Sequence, residues 1–155
     1  MTRVLFVCHG NICRSPMAEF IMKKLVCDAG LKGEFEINSC AVSYEEAGND
    51  IYPPAQQEMR RRGIPFASHR AVRAEAGDYD KYDLFVVMDS SNVRNLTRIF
   101  GGDDDGKIHK LLEYTGQVRD VTDPWYSRQF DVAFDDIYAG CEALLLRLTD
   151  KSACK

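Results

Sequence analysis

Apolar residues along this chain fall into short unbroken blocks and into helical stripes, and the two alternate. Val4-Leu5-Phe6-Val7 is a continuous apolar run rich in β-branched and aromatic residues, which predicts a buried strand. From Pro16 to about Cys27 the positions Met17, Ile21 and Leu25, with Phe20 and Met22 beside them, follow a helical period that ends near Gly30. Ser15 stands where an N-cap is expected and Pro16 where a first helical residue is expected. Glu36-Ile37-Asn38-Ser39 predicts a short second strand, and the polar stretch from Tyr44 to Asp50 predicts a loop. Pro53-Pro54 opens a helix that Gly63 closes. Leu84-Phe85-Val86-Val87-Met88 is the clearest interior strand, and its unbroken apolar character suits a parallel sheet covered on both faces. Asp89-Ser90-Ser91-Asn92 then caps a helix running to about Phe100, and Lys107 to Leu112 predicts a fourth strand. Phe134, Ile137, Tyr138, Cys141, Leu144, Leu145 and Leu148 mark a last amphipathic helix.

The resulting order, β-α-β-α-β-α-β-α, predicts an α/β fold: one three-layer doubly wound domain over residues 1–155, its parallel sheet flanked by helices. Sheets of this kind bind ligands beyond the carboxyl ends of their strands, where the loop Cys8–Ser15 lies. The 155-residue length allows a real core but not comfortably two of them. No apolar run approaches membrane-spanning length and no secretory signal is visible, so the chain reads as cytoplasmic. A formal net charge of −4 argues against nucleic acid as the main partner. Arg60-Arg61-Arg62 and Asp103-Asp104-Asp105 read as solvated surface. The cysteines Cys8, Cys13, Cys27, Cys40, Cys141 and Cys154 include no C-x-x-C pair, which predicts neither a structural metal nor a structural disulfide. Cys27 and Cys141 fall on apolar helix stripes, where a free thiol packs as a small buried hydrophobe.

The connection between the first strand and the first helix carries the chemistry. A strand, a tight loop and a helix start leave backbone N–H groups facing one point at the positive end of a helix dipole, which makes an anion cradle. Cys8-His9-Gly10-Asn11-Ile12-Cys13-Arg14-Ser15 adds a thiol and an arginine to that cradle. A cysteine and an arginine at this separation occur often by chance, and an ordinary buried thiol with a surface arginine is the competing reading. That reading leaves the presence of Gly10, Asn11 and Ser15 in the same connection unexplained. The functional reading is covalent phosphoryl transfer. The Cys8 thiolate attacks phosphorus, favoured by the loop N–H groups, the helix N-terminus, the Arg14 charge and the Ser15 hydroxyl. Arg14 holds two phosphate oxygens through its planar fork, and the N–H groups from His9 to Arg14 supply further donors. Gly10 lets the backbone approach the anion, and Asn11 suits a left-handed bend.

Such a reaction needs an acid for the leaving oxygen. His9, with its side chain expected outward, His69, after a turn-like Ala67-Ser68, and His109, in a predicted strand, are poor candidates. Asp123-Pro124-Trp125-Tyr126 is a better one: an acid followed by a stiffening proline and two aromatics able to wall a slot. The same four residues read equally as an Asp-Pro turn with its aromatics packed on the core.

Taken together, the segments Cys8–Pro16 and Asp123–Tyr126 resemble the low-molecular-weight protein tyrosine phosphatases. The resemblance runs from about Arg3 to Leu148 and includes Ser39, Ser43, His69-Arg70-Ala71, Tyr82-Asp83-Leu84, Met88-Asp89 to Asn92, and Leu111-Leu112-Glu113-Tyr114. It implies a four-stranded parallel sheet and no metal or organic cofactor. By resemblance Cys8 is the nucleophile, Arg14 the phosphate clamp, and Asp123 the acid and then the base that activates water. Ser15 steadies the thiolate, and Asn11, Ser39 and His69 hold the loop in shape. Ile12, Trp125 and Tyr126 line the aromatic slot, and Cys13 is the second loop cysteine, which in this family can form a reversible disulfide with the nucleophile. The implied partner is a phosphotyrosine-bearing protein or peptide, with no nucleic acid or membrane, the chain acting as a monomer or weak homodimer. The chain departs from the family at Tyr44-Glu45, where the aromatic stands one position early, and at Ser127-Arg128, where many members have glycine. Both bear on substrate preference. Phosphoarginine phosphatases of this fold carry threonine where this chain has Ile12. Thiol-dependent arsenate reductases need further cysteines, and none lies between Cys40 and Cys141. A non-catalytic phosphate-binding module would require neither Cys8 nor Asp123.

Overall fold

In the computed structural model, which describes residues 1–150, β1 (Thr2–Cys8) lies at the centre of the sheet. It pairs on one side with β2 (Phe35–Ala41) and on the other with β3 (Leu84–Val87), and β3 pairs with β4 (Ile108–Lys110). All pairs are parallel and the order is β2-β1-β3-β4, the four-stranded α/β architecture expected. Period-2 alternation divides the interior. Val4, Phe6 and Cys8 face a core shared with α1 (Arg14–Asp28), α2 (Pro53–Arg61) and α5 (Phe130–Thr149). Leu5 and Val7 face a smaller core under α3 (Ser90–Phe100), with Phe85, Val87 and Leu96. The chain leaves β1 for β2 on one side and returns past it to β3 on the other. This reversal opens a crevice at the carboxyl end of β1, where Cys8 stands.

Several local expectations give way to packing. The helix after the loop begins at Arg14, with Cys13 in the N-cap position, so Ser15 and Pro16 lie inside its first turn. Proline is tolerated there because first-turn N–H groups have no helical acceptor. Ser15 does not cap because its hydroxyl is engaged by Cys8 and Asn11. The fourth strand stops at Lys110, and Leu111–Thr115 turns into a 3-10 helix. Leu111 and Leu112 are both buried in the same core, the one under α1 and α5, which successive residues of an alternating strand cannot achieve, and Leu111 packs against Gly140 of α5. A Cβ at Gly140 would lie 2.5 Å from Leu111 Cγ, so this crossing requires glycine.

Cys27 is exposed rather than buried: it follows Val26, the last buried position of α1, and so turns about 100° away from the core. Cys141 is buried, and Cys154 lies outside the described residues. Asp103 is more than solvated surface, since its carboxylate accepts from the Tyr79 hydroxyl at 2.6 Å and from the N–H groups of Lys107 and Ile108. Arg62 likewise pairs with Asp135 at 2.8 Å and lies over the Phe134 ring, joining α2 to α5. Among the described residues no helix is long and apolar enough to cross a membrane, and no group of His, Cys, Asp or Glu could hold a metal ion.

Candidate active site

The loop from His9 to Cys13 closes around the sulfur of Cys8. Cys8 Sγ lies 3.0 Å from Ser15 Oγ and accepts from the N–H groups of Asn11 at 3.3 Å and Ser15 at 3.4 Å. The loop can bend this tightly because Asn11 takes a left-handed backbone, φ +60°. Its carbonyls are tied outward: Cys8 O to Val42 N, His9 O to Ser43 N and Oγ, Asn11 O to His69 Nε2 at 2.8 Å, and Ile12 O to Tyr52 N. A trans peptide carries its N–H opposite its C=O. These anchors therefore leave the N–H groups of His9, Gly10, Ile12 and Cys13 facing away from the body of the protein, as an anion cradle requires. Gly10 has a second reason to lack a side chain: a Cβ there would press on Glu46 Cγ at 3.3 Å.

The side chain of Asn11 is fully buried and sets the polarity of the hydrogen bonds behind the sulfur. Its Nδ2 donates to Ser15 Oγ at 2.8 Å and to Ser39 Oγ at 2.9 Å, while its Oδ1 accepts from Val72 N. Only this amide orientation serves all three partners. Ser15, having accepted, can turn its own proton to Cys8 Sγ at 3.0 Å, which is nearer than its other acceptor, Cys40 O at 3.4 Å, and Ser39 gives its proton to Glu19 Oε1 at 2.6 Å. Glu19 was not among the expected site residues, although an acid on an apolar helix stripe is a readable sign of a buried polar role.

Arg14 is buried, and its guanidinium is gripped from two sides. Nη1 donates to Asp89 Oδ2 at 2.8 Å and to Val121 O at 2.9 Å, and Nη2 reaches Asp123 Oδ2 at 3.4 Å. Burial alone would lower its pKa, but the charges of Cys8, Asp123 and Asp89 hold it above the usual arginine value. Asp89 and Asp123 each also cap a helix. Asp89 Oδ1 accepts from Asn92 N at the start of α3, and Asp123 Oδ1 accepts from Trp125 N at the start of α4 (Pro124–Ser127). Each acid thus spends one oxygen on its own helix and turns the other to Arg14.

Cys8, His9, Gly10, Ile12, Cys13, Arg14, Asp123, Trp125 and Tyr126 line one cleft of about 110 Å³. Ser15 and Asn11 lie directly behind it, and Ser39 and His69 support Asn11. The aromatics are not packed into the core: Trp125 is 42% and Tyr126 81% exposed, with Trp125 leaning on Tyr52 at 4.8 Å. Glu45 and Glu46 complete the rim, and Glu45 Oε2 lies 2.9 Å from His9 Nε2. Burial first, and then the Cys8 charge, push the Cys13 thiol well above its usual range. Cys13 is therefore a neutral thiol beside an anion cradle.

A family model described as low molecular weight phosphotyrosine protein phosphatase matches residues 3–153. The chain belongs to the low molecular weight protein tyrosine phosphatases. It is similar to the low molecular weight protein-tyrosine-phosphatase YfkJ of Bacillus subtilis, 37% identical over 147 residues and covering 94% of both chains. The crystal structure of YfkJ superposes with a TM-score of 0.93 at 36% identity, covering 97% of each chain. The human low molecular weight phosphotyrosine protein phosphatase is 38% identical over 141 residues, 89% of this chain and 87% of its own. As a member of this phosphatase family the protein is a hydrolase of phosphoric monoesters.

Proposed function

We propose that this phosphatase hydrolyses phosphotyrosine in two steps through a phosphocysteine at Cys8. The observation that carries the reading is one cleft in which the Cys8 sulfur, the Arg14 guanidinium and the Asp123 carboxyl group face one another. In the first step Cys8 Sγ attacks phosphorus as the bond to the phenolic oxygen breaks, and Asp123 gives that oxygen its proton. Arg14 and the loop N–H groups hold the equatorial oxygens, and their bonds tighten as the phosphoryl group flattens. In the second step the Asp123 carboxylate takes a proton from water as the water attacks phosphorus. Phosphate leaves and the Cys8 thiolate is restored. Ser15 supports the ionised sulfur in both steps. Asn11, held by Ser39, His69 and Val72, keeps Ser15 in that role.

The walls favour a phenol. Ile12 is apolar and Trp125 and Tyr126 present aromatic surface, which fits a ring better than the guanidino group of phosphoarginine. The substrate is then a phosphotyrosine-bearing protein or peptide. Turnover of p-nitrophenyl phosphate by wild type, Cys8→Ser and Asp123→Asn tests the assignment. The serine variant is expected to be inactive and the asparagine variant slowed by about 10²- to 10⁴-fold. Equal activity in all three would remove the roles assigned here.

A further inference from the structure

The segment that delivers Asp123 has no regular structure between Gln117 and Thr122. The backbone leading to Asp123 is therefore held by individual anchors rather than by a helix or a strand ladder, while the carboxylate itself meets Trp125 N and Arg14. Two of these anchors are backbone-centred at one residue: Val121 N donates to Met88 O at 2.9 Å, and Val121 O accepts from Arg14. Arg119 adds a pair of bonds to Asp136 of α5. A further anchor is Lys110, the last residue of β4, acting beside a longer bond from Ser90 Oγ to Asp120 Oδ1 at 3.4 Å. Its Nζ donates to Val118 O at 3.1 Å, Asp120 Oδ1 at 2.7 Å and Ser90 Oγ at 3.1 Å.

An ammonium group has three protons, and here each finds an acceptor. The side chain is only 22% exposed, unlike a solvated surface lysine. Two acceptors belong to the acid-bearing segment. The third, Ser90, is the first residue of α3 and follows Asp89, the residue that grips Arg14. Burial pushes the Asp120 carboxyl up. The hydrogen bond and charge of Lys110, together with Ser90, outweigh this and hold it below the usual carboxylate value, which keeps the pair ionic. Val121 pins one point, two residues before Asp123; the Arg119 side chain that pairs with Asp136 is half exposed, and Lys110 is the better-buried brace of the same stretch.

We propose that Lys110 is a positioning residue for the acid step: by tying Val118 and Asp120 to the start of α3, it fixes Asp123 relative to Arg14 and the leaving oxygen. The inference rests on the reading of Asp123 as the acid. It has a kinetic signature, because an acid matters in proportion to the basicity of the oxygen it protonates. A strongly activated phenol leaves without help, whereas phenol itself does not.

The test measures kcat/KM on a series of aryl phosphates from 2,4-dinitrophenyl to phenyl phosphate, for wild type, Lys110→Met, Lys110→Arg, Asp120→Asn and Asp123→Asn. Lys110→Met is expected to stay within about threefold of wild type on the dinitrophenyl ester and to fall about ten- to a hundredfold on phenyl phosphate. Lys110→Arg, which keeps the charge and several donors, should recover part of the loss. Asp120→Asn weakens the same link with the lysine in place, gives a smaller change of the same kind, and serves if the methionine variant does not fold. Equal losses on every ester, or no loss, in Lys110→Met and Asp120→Asn while Asp123→Asn loses selectively on phenyl phosphate would overturn the positioning role alone. If Asp123→Asn shows no such selectivity, the acid assignment falls, and the role of Lys110 with it.

Discussion

Asn11 governs both the bend of the loop and the direction of its hydrogen bonds, and Asn11→Asp separates the two. Aspartate accepts a left-handed backbone about as readily as asparagine, so φ +60° remains available, and one carboxylate oxygen can still accept from Val72 N. The change falls on the side of Nδ2, where two donated protons become a negative oxygen. The Ser15 proton, which the native arrangement leaves for Cys8 Sγ, is then drawn to the new carboxylate. Bonds of 2.8 and 3.0 Å connect that position to the sulfur through Ser15 Oγ, so the two charges stand no more than about 6 Å apart. At an effective dielectric constant of about 20 this costs the ionised sulfur about 3 kcal/mol, before the lost hydrogen bond is included. The expected result is a fall in kcat/KM on p-nitrophenyl phosphate at pH 7 on the order of a hundredfold or more. Alkylation of Cys8 by iodoacetamide, read from the mass of its peptide, should slow in parallel and recover as the pH is raised. Asn11→Gly, which removes the side chain without adding a charge, should lose less. An aspartate variant that alkylates like wild type across the pH range and keeps its activity would refute the account of loop polarity.

Three other outcomes follow from the geometry. Gly140→Ala places a methyl group 2.5 Å from Leu111 Cγ in a fully buried contact, and differential scanning should show a destabilisation of about 1–3 kcal/mol, or about 3–10 °C in Tm. The Asp103 carboxyl has a folded pKa below its usual value: burial opposes this, but the Tyr79 hydroxyl and the N–H groups of Lys107 and Ile108 outweigh it. Its stabilisation is therefore complete above the unfolded value and disappears as the pH falls through the lower, folded one, so the Tm gap between wild type and Asp103→Asn should persist from neutral pH to about pH 5 and shrink below about pH 4. Mild peroxide should silence the enzyme by oxidising Cys8, and Cys13 should then displace water from the sulfenic acid to form a disulfide that a dithiol reopens. Cys13→Ser is expected to recover less activity than wild type, and equal recovery would remove the protective role.

The parts of the site that were legible in the sequence are those whose partners are close in the chain or whose chemistry is unusual for their place. Cys8, Gly10, Asn11 and Arg14 could be read together because one strand-to-helix connection carries all of them. Asp123 stood out through the proline and aromatics that follow it, although the residues alone left a plain turn equally open. Asp89 was legible only as the cap of α3, because capping occupies one carboxylate oxygen and nothing local shows that the other reaches Arg14, 75 residues away in the chain. Lys110 was hidden for the same reason, its three acceptors lying on two other segments. The helix start was misplaced at Ser15-Pro16 because local capping rules assume a hydroxyl free to cap, and here a sulfur atom from the preceding strand claims it. In the fold, strand and helix existence followed from periodicity. The early end of β4 did not, since it depends on how closely Leu111 approaches the glycine of a helix much later in the chain.

That Asp89 and Asp123 each begin a helix with one oxygen and meet Arg14 with the other makes the phosphate-binding residue a junction between catalytic competence and helix integrity. Fraying of the first turn of α3 or of α4 loosens the guanidinium at the same moment, well before the sheet comes apart. Heat or denaturant should therefore silence this phosphatase while its strands are still paired, and a substitution that firms up those two turns should extend its working range without touching the substrate.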